Sequence, residues 1–415
     1  MSSQRVRVLF FCEAVTLAHV ARPAVLCRAL DTSRYDVHMA QHPRYRALQG
    51  ELPVVNHDLD SVTPEAFLQA LAKGDPLYSE ETLHRYVEED RALIRSIKPD
   101  VVVGDFRISL QVSARLENVP FVTITNAYWS EYVEQSYVVP DLPFTRLLGP
   151  RLGQGVFSVV RPLAFALHCR PMNAVRRHYG LPSAGTSLQR VYTESDMTLY
   201  ADAAELFSMS PLPDSHRFLG PIVWSPGASN PPWWNDAGDE QPRIYVTLGS
   251  SGAASLLPQL VAVLGDLPVT ALVSTAGAPV PTDLPSNVYV APYLNGEAAV
   301  EGAQLVICNG GSPTTQQALS QGVPVIGLAS NLDQHLNMAM LERAGAGRCL
   351  RAQGLSVKRL QETIVGMLDA EATTERAGEL AGIFSRYDAG AVFNAAIEEM
   401  LQGESGSVVT AREGS

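Results

Sequence analysis

Residues 304–328 read QLVICNGGSPTTQQALSQGVPVIGL, and the architecture follows from them. A buried strand ends at Cys308. Gly310 and Gly311 then allow a tight turn and a close backbone approach. Ser312 suits a helix cap and Pro313 the first helical position. Thr314 and Thr315 open the helix, and a second apolar strand starts at Val323. A strand, a glycine turn and a hydroxyl-rich helix tip aim free amides and the helix dipole at one anion, and a diphosphate fits. A capped helix with no ligand has the same local pattern. No GxGxxG follows the first strand and no GxxxxGK[ST] is present, which sets aside two other phosphate-binding arrangements.

Working outward, strands are expected at 243–248, 269–274, 288–291, 304–308 and 323–328, with helices near 256–265, 314–321, 334–344 and 357–368. The first half alternates in the same way. It has strands at 5–11, 35–40, 100–104, 120–125 and 196–200 and helices near 19–30, 64–73, 79–97 and 108–117. Residues 150–180 read as helix with a proline break. Strands separated by helices form parallel sheets covered on both faces. The expected class is α/β: two Rossmann-like, doubly wound halves facing a central cleft, with ligands beyond the carboxyl ends of the strands.

Residues 221–242, PIVWSPGASNPPWWNDAGDEQP, are too rich in Pro, Gly, Asn and Asp for a helix or central strand. They hold Trp224, Trp233 and Trp234, which predicts a linker packed into the cleft. The expected division is 1–218, a linker at 219–242, a second domain at 243–385, a helix at 386–401 free to cross back to the first domain, and a frayed tail at 402–415.

At 415 residues the chain exceeds the ~250–300 that one core supports. A hydrophobic fraction of 46% and a charged fraction of 18% describe a soluble globular protein. The formal charge of -12 disfavours nucleic acid as a partner. No apolar run reaches the ~18 residues of a membrane span. The nearest approach, 156–169, is interrupted by Arg161 and Pro162. Residues 8–12 are too short for a signal-peptide core. Five scattered cysteines without a CxxC pair suit reduced thiols, so a cytoplasmic location is expected. No His/Cys/Asp cluster has metal-ligand spacing, and no metal is expected. The oligomeric state is not encoded in any such pattern.

The stretch at 308–337, CNGGSPTTQQALSQGVPVIGLASNLDQHLN, resembles the donor-binding signature of family 1 glycosyltransferases, which have the GT-B fold. That signature runs roughly HGGxGTxxEAL, then GVPxxxxP, then DQ and an Asn. VTLGSSG at 246–252, STAG at 274–277 and GPIVWSP at 220–226 agree with it. The resemblance implies a nucleotide-sugar site in the second domain and an acceptor site in the first. Gly311, Ser312 and Thr314 would hold the diphosphate, and Asp333 with Gln334 the sugar hydroxyls. Ser250, Ser251, Asn309, Gly310, Thr315 and Gln317 complete the implied donor set. Three positions depart from the signature. Its His is Asn309, its Gly before Thr is Pro313, and its ribose-binding Glu is Gln317. Asp333 is also placed to cap the helix that follows.

The first strand is followed by FCEAVTLAHVARPAVLCRAL. His19 and Val20, with Pro23, Leu26 and Leu30, resemble the family's GHVxPxLxLAxxL, with Ala18 in place of Gly and Pro23 one residue late. The phrase PDVVVGD at 99–105 resembles the family's PDxVVxD, so Asp105 would partner His19 at the same sheet edge. A lone His there is otherwise a surface residue, and Asp105 otherwise a helix cap. The chemistry wants both. Neutral imidazole removes the acceptor's proton, and a carboxylate on the other ring nitrogen fixes the tautomer. Asn126, Tyr128 and Trp129, after another strand, are candidate acceptor contacts, as are Phe144, Phe157 and Phe165 beyond them.

The function these features imply is inverting, metal-independent transfer of a hexose to a hydroxyl of a small lipophilic or aromatic natural product. No cofactor is expected beyond the nucleotide-sugar co-substrate, UDP-glucose first and a dTDP-sugar second. A sugar-nucleotide epimerase on the same fold and a non-catalytic glycosyltransferase-like partner protein are the alternatives.

Overall fold

The computed structural model of the protein describes residues 5–238, 240–249 and 254–412, with side chains through 402. Its first half is a parallel sheet of β1 (Val6–Cys12), β2 (Tyr35–Gln41), β3 (Val55–Asp58), β4 (Val101–Asp105), β5 (Phe121–Thr125), β6 (Met197–Tyr200) and β7 (His216–Phe218), in the order β3-β2-β1-β4-β5-β6-β7. Its second half is a parallel sheet of β8 (Arg243–Thr247), β9 (Thr270–Ser274), β10 (Val288–Ala291), β11 (Leu305–Cys308), β12 (Val325–Ala329) and β13 (Gly347–Arg351), in the order β10-β9-β8-β11-β12-β13. The central strands are apolar along their length because helices cover both faces. In each sheet the strand order reverses once, between β1 and β4 and between β8 and β11. Such reversals open a crevice at the carboxyl edge, where ligands of doubly wound sheets sit.

Register places the chemistry at those crevices. Cys12 pairs with Asp105, so both strands end level, and the helix Ala18–Arg28 starts just beyond. Thr247 pairs with Cys308 beside the helix Ser312–Ser320.

Several expectations are corrected. The strands β3, β7 and β13 are additional to those expected. The long helix is Pro143–His178, and it breaks at Gly149 (φ 74, ψ 164), not at Pro162 or Pro171, which it accommodates. Pro150 explains the position, since the residue before a proline is pushed out of the helical region. Gly311, not Ser312, is the N-cap of the helix Ser312–Ser320, and Pro313 follows in the first turn. Trp224 reaches the cleft. Trp233 and Trp234 instead stack on each other, and Trp233 packs on Tyr289 of β10 and donates to the Val290 carbonyl at 3.2 Å. The last helix spans Ala389–Arg412 and so passes residue 401.

That helix packs on the first sheet. Phe393, Ala396 and Ile397 lie in one core with Val8, Phe10 and Leu199, and the Phe10 and Phe393 rings are 5.7 Å apart. Gly220, at φ +90, lets the chain turn under Tyr387, whose Cβ would lie 2.3 Å from any side chain there. A second tie between the halves is ionic. Asp141 pairs with Arg351 and accepts from the Gln353 amide at 2.9 Å, while the Asp141 amide donates to the Ser330 carbonyl at 2.7 Å.

Candidate active site

His19 stands in the first turn of the helix Ala18–Arg28, and Arg22, three residues on, shares its face. Asp105 is the last residue of β4 and is fully buried. His19 Nδ1 lies 2.8 Å from Asp105 Oδ1. Nδ1 also lies 2.9 Å from Arg22 Nη2, so it faces both a donor and an acceptor; in the tautomer that donates to the carboxylate, Nδ1 carries the hydrogen and Nε2 keeps its lone pair. Arg22 donates to the same carboxylate twice, Nε to Oδ2 at 2.8 Å and Nη2 to Oδ1 at 2.7 Å. Burial works against the charge of Arg22, but Asp105 outweighs it and holds the guanidinium above its ordinary value.

The next residue, Phe106, takes φ 59, a conformation uncommon outside glycine. Its ring stacks on His19, with centroids 4.7 Å apart and planes 11° from parallel. What holds this turn is Arg107. It is fully buried, donates to Asp90 at 2.9 Å, Glu13 at 3.0 Å and Glu89 at 3.0 Å, and lies 3.6 Å over the Tyr86 ring. Burial opposes its charge, yet Asp90 and Glu13 keep it raised. Burial in turn pushes the carboxyls of Glu13 and Asp90 upward against Arg107.

From Arg22 a chain of hydrogen bonds crosses the cleft. Arg22 Nη1 donates to Asn126 Oδ1 at 2.8 Å, and Ser312 Oγ, in the first turn of the opposing helix, donates to the same oxygen at 3.3 Å. Asn126 Nδ2 reaches Asp202 at 3.1 Å, and Gln316 Nε2 donates to Asp202 at 2.8 Å and to the Ala201 carbonyl at 2.7 Å. Burial lifts the Asp202 carboxyl to about 7, moderated by the Ala127 amide, Asn126, Arg22 and Gln316.

The opposing tip is built by Gly310 and Gly311. Gly310 sits at φ +83 with Met338 so close that a Cβ would meet its Cγ at 2.7 Å. Asn337 Nδ2 fixes the turn, donating to the Gly310 carbonyl at 2.8 Å and to Thr315 Oγ1 at 2.9 Å. Asn309 Oδ1 accepts from the Gly311 amide at 3.0 Å.

A cavity of about 340 Å³ lies between the halves. His19, Asn126, Tyr128, Trp129, Asn309, Gly311, Ser312, Thr314, Gln317 and Asp333 all face it. Asp105 stands behind His19, and Gly310, Thr315 and Gln334 do not reach the cavity wall. Thr315 is buried against Asn337, and Gln334 Oε1 is turned back onto the Ser330 amide at 2.9 Å. Ser250 and Ser251 lie outside the described residues. Asp333 is not the cap of its helix; Asn331 is. The Asp333 carboxylate instead accepts from Trp129 Nε1 at 2.8 Å and Tyr128 OH at 3.2 Å, so these two aromatic residues tie the halves together as well as walling the cleft. Gln317 Nε2 donates to Ser225 Oγ at 2.8 Å and to the Trp224 carbonyl at 3.3 Å. The other arm of the cavity is apolar, walled by Phe67, Leu71, Phe106, Phe157, Phe165 and Tyr192; Phe144 is not part of it.

With this geometry in hand, three comparisons bear on it. Residues 254–384 match the family described as erythromycin biosynthesis protein CIII-like, C-terminal domain. A PGL/p-HBAD biosynthesis glycosyltransferase of Mycobacterium tuberculosis is 48% identical over 388 residues, covering 94% of this chain and 91% of the relative. The chain belongs to the family 1 glycosyltransferases of GT-B fold. A PGL/p-HBAD biosynthesis rhamnosyltransferase of Mycobacterium bovis is 47% identical over 386 residues, covering 93% of this chain and 86% of the relative. Among solved structures, the spinosyn rhamnosyltransferase SpnG superposes with a TM-score of 0.68 at 22% identity, covering 95% of this chain and all of the neighbour, which supports the GT-B fold. This glycosyltransferase therefore moves a sugar from a nucleotide donor, and a natural-product acceptor fits. Arg22, Asn126 as a bridge, Asp202 and Gln316 are members of the site that its sequence did not announce. Only the position of Arg22, one turn after His19, was a usable signal.

Proposed function

We propose that the enzyme transfers a 6-deoxyhexose, rhamnose in the first instance, from a thymidine diphosphate donor to a hydroxyl of a lipophilic, aromatic acceptor, with inversion. The observation that carries this reading is the chain from His19 and Asp105 through Arg22 and Asn126 to Ser312, which holds a base and an anion-binding helix tip on facing walls of one cavity.

His19 Nε2 is the catalytic base. It removes the acceptor proton as the oxygen attacks the anomeric carbon, and Asp105 stabilises the imidazolium that forms. The carbon–oxygen bond to the diphosphate breaks on the opposite face. Amides at the tip of the helix Ser312–Ser320 and the Thr314 hydroxyl receive the departing charge. The phenylalanine-rich arm takes the acceptor body.

Two features favour a thymidine over a uridine donor, and a deoxysugar over glucose. Gln317 stands where the family has a carboxylate for the ribose hydroxyls, and its amide is already spent on Ser225 and Trp224. A deoxyribose asks less of that position. Asp333, the group for sugar hydroxyls, is already held by Tyr128 and Trp129. The rhamnosyltransferase relative and a SpnG structure complexed with thymidine diphosphate point the same way. The test is incubation of purified protein with dTDP-rhamnose or UDP-glucose and an alkylphenol panel, with product followed by mass spectrometry and its anomeric configuration by NMR. Rhamnoside of inverted configuration is expected. Glucoside as the sole product would overturn the donor assignment.

A further inference from the structure

The long helix Pro143–His178 walls the apolar arm on one side and faces outward on the other. Past the kink at Gly149, its outward side exposes Leu152, Val156, Val159, Val160, Leu163 and Leu167. Val159 is 81% exposed, Leu152 68% and Leu163 62%. At about 100° per residue these six fall within one stripe about 100° wide, the width usual for a face that packs on something. Among the described residues nothing covers it. The cavity residues Phe157, Phe165 and His168 project from the other side of the same helix.

Charge says what the cover is. The helix carries Arg146, Arg151, Arg161, Arg170, Arg176 and Arg177 and no Asp or Glu, in a chain of formal charge -12. Arg176 is buried and bonded to Gln111 and Glu194, and Arg161 lies over the Tyr137 ring. Arg151 and Arg170 are exposed, one before and one after the stripe along the helix, and form no ion pair among the described residues; by the 100° step Arg170 falls within the stripe and Arg151 about 80° beyond its edge, where a long side chain reaches the rim of the face. A second copy of the chain would bring like charges together across this face with no carboxylate on it to offset them. An anionic bilayer supplies what the face lacks, phosphates for the arginines and an apolar boundary for the stripe. On such a surface the helix would lie flat and not cross, since no helix among the described residues is long and apolar enough to cross a membrane.

We infer that the outward face of Pro143–His178 docks the enzyme on an anionic lipid surface, with the stripe at the headgroup–acyl boundary and Arg151 and Arg170 on lipid phosphates. The helix then separates the bilayer from the acceptor arm by its own thickness, so a lipophilic acceptor travels around one element to reach His19. That route rests on the transferase reading; the docking does not.

The test is sedimentation of the full chain with vesicles of phosphatidylcholine alone or mixed equally with phosphatidylglycerol, at low and high salt. Binding to the mixed vesicles at low salt and its loss at high salt are expected. In both Leu152→Gln/Val159→Gln/Leu163→Gln and Arg151→Glu/Arg170→Glu, binding should weaken at least ~10-fold, with circular dichroism and turnover of a water-soluble phenol unchanged. Should the apolar triple variant misfold, the arginine variant decides alone. Absence of wild-type binding, or equal binding by a folded variant, overturns the proposal. So does a wild-type dimer that the triple variant converts to monomer, which would assign the face to a second copy.

Discussion

At the scale of single residues, His19 is useful because Asp105 is not free to do anything else. The carboxylate is buried and takes three donors from His19 and Arg22. Arg22 offsets its charge and also touches the ring at Nδ1, so the imidazole is held in one orientation, and the tautomer with its hydrogen toward Asp105 leaves Nε2 free to act as a base. Gly310 plays the equivalent part opposite. An L-residue at φ +83 costs about 1–2 kcal/mol from backbone strain alone, and Met338 leaves no room for a Cβ. Gly310→Ala should therefore lower the thermal midpoint and weaken thymidine diphosphate binding together, as read by differential scanning and titration calorimetry. Wild-type affinity in that variant would separate the turn from the anion site. His19, Asp105 and the glycine turn were legible because each sits at the carboxyl end of a recognisable strand, Asp105 as its last residue and His19 at the start of the helix that follows. Arg22 and the bridging role of Asn126 were not, since their partners across the cleft lie 83 to 186 residues away in the chain. For Tyr128 and Trp129 only a place on the cavity wall was legible, because nothing local reveals their hydrogen bonds to Asp333, more than 200 residues on.

Elements were read well where burial imposes a pattern. The central strands β1, β4, β5, β8, β11 and β12 are runs of apolar residues, and such runs have few other interpretations. The overlooked strands β3, β7 and β13 are all sheet edges. Their sequences, VNHD, HRF and GRCLR, are short or polar, as suits strands that must not recruit another chain. The helix Pro143–His178 was placed too late because its prolines look like breaks, whereas the break is a glycine with a proline after it. The β4 turn that carries Asp105 and Phe106 depends on an element-level device, the buried group of Arg107 with Glu13, Asp90 and Glu89. Removing only the cation leaves buried carboxylates uncompensated, at a cost of about 3–5 kcal/mol. Arg107→Met should show that loss in urea denaturation and should also lower kcat, because Phe106 and His19 lose their support. A variant as stable as the wild type would remove Arg107 from the account.

Across the whole molecule, two sheets meet over one cavity and are joined by the last helix, by Asp141 with Arg351, and by the Asn126, Asp202 and Gln316 bridge. The two-sheet layout was readable from alternation of strand and helix, but the bridge was not, since it forms only when the halves face each other. It carries a pH signature. The Asp202 carboxyl rises from 3.8 to about 7 on burial. The folded protein therefore holds a proton that the unfolded chain has released, and the stabilisation is full below about pH 4 and lost as pH rises through about 7. Its size is at most about 4 kcal/mol. Urea denaturation from pH 5 to 8 should show stability falling with pH more steeply in the wild type than in Asp202→Asn; parallel curves would contradict the shift. The claim on which everything else depends is that the His19 imidazole takes the acceptor's proton across the cleft from the diphosphate. It is tested most directly by measuring kcat of His19→Ala at saturating donor, with the affinity for thymidine diphosphate measured on the same preparation. The account predicts kcat reduced by about 10²–10⁴-fold with nucleotide affinity unchanged. Wild-type turnover by His19→Ala would contradict it.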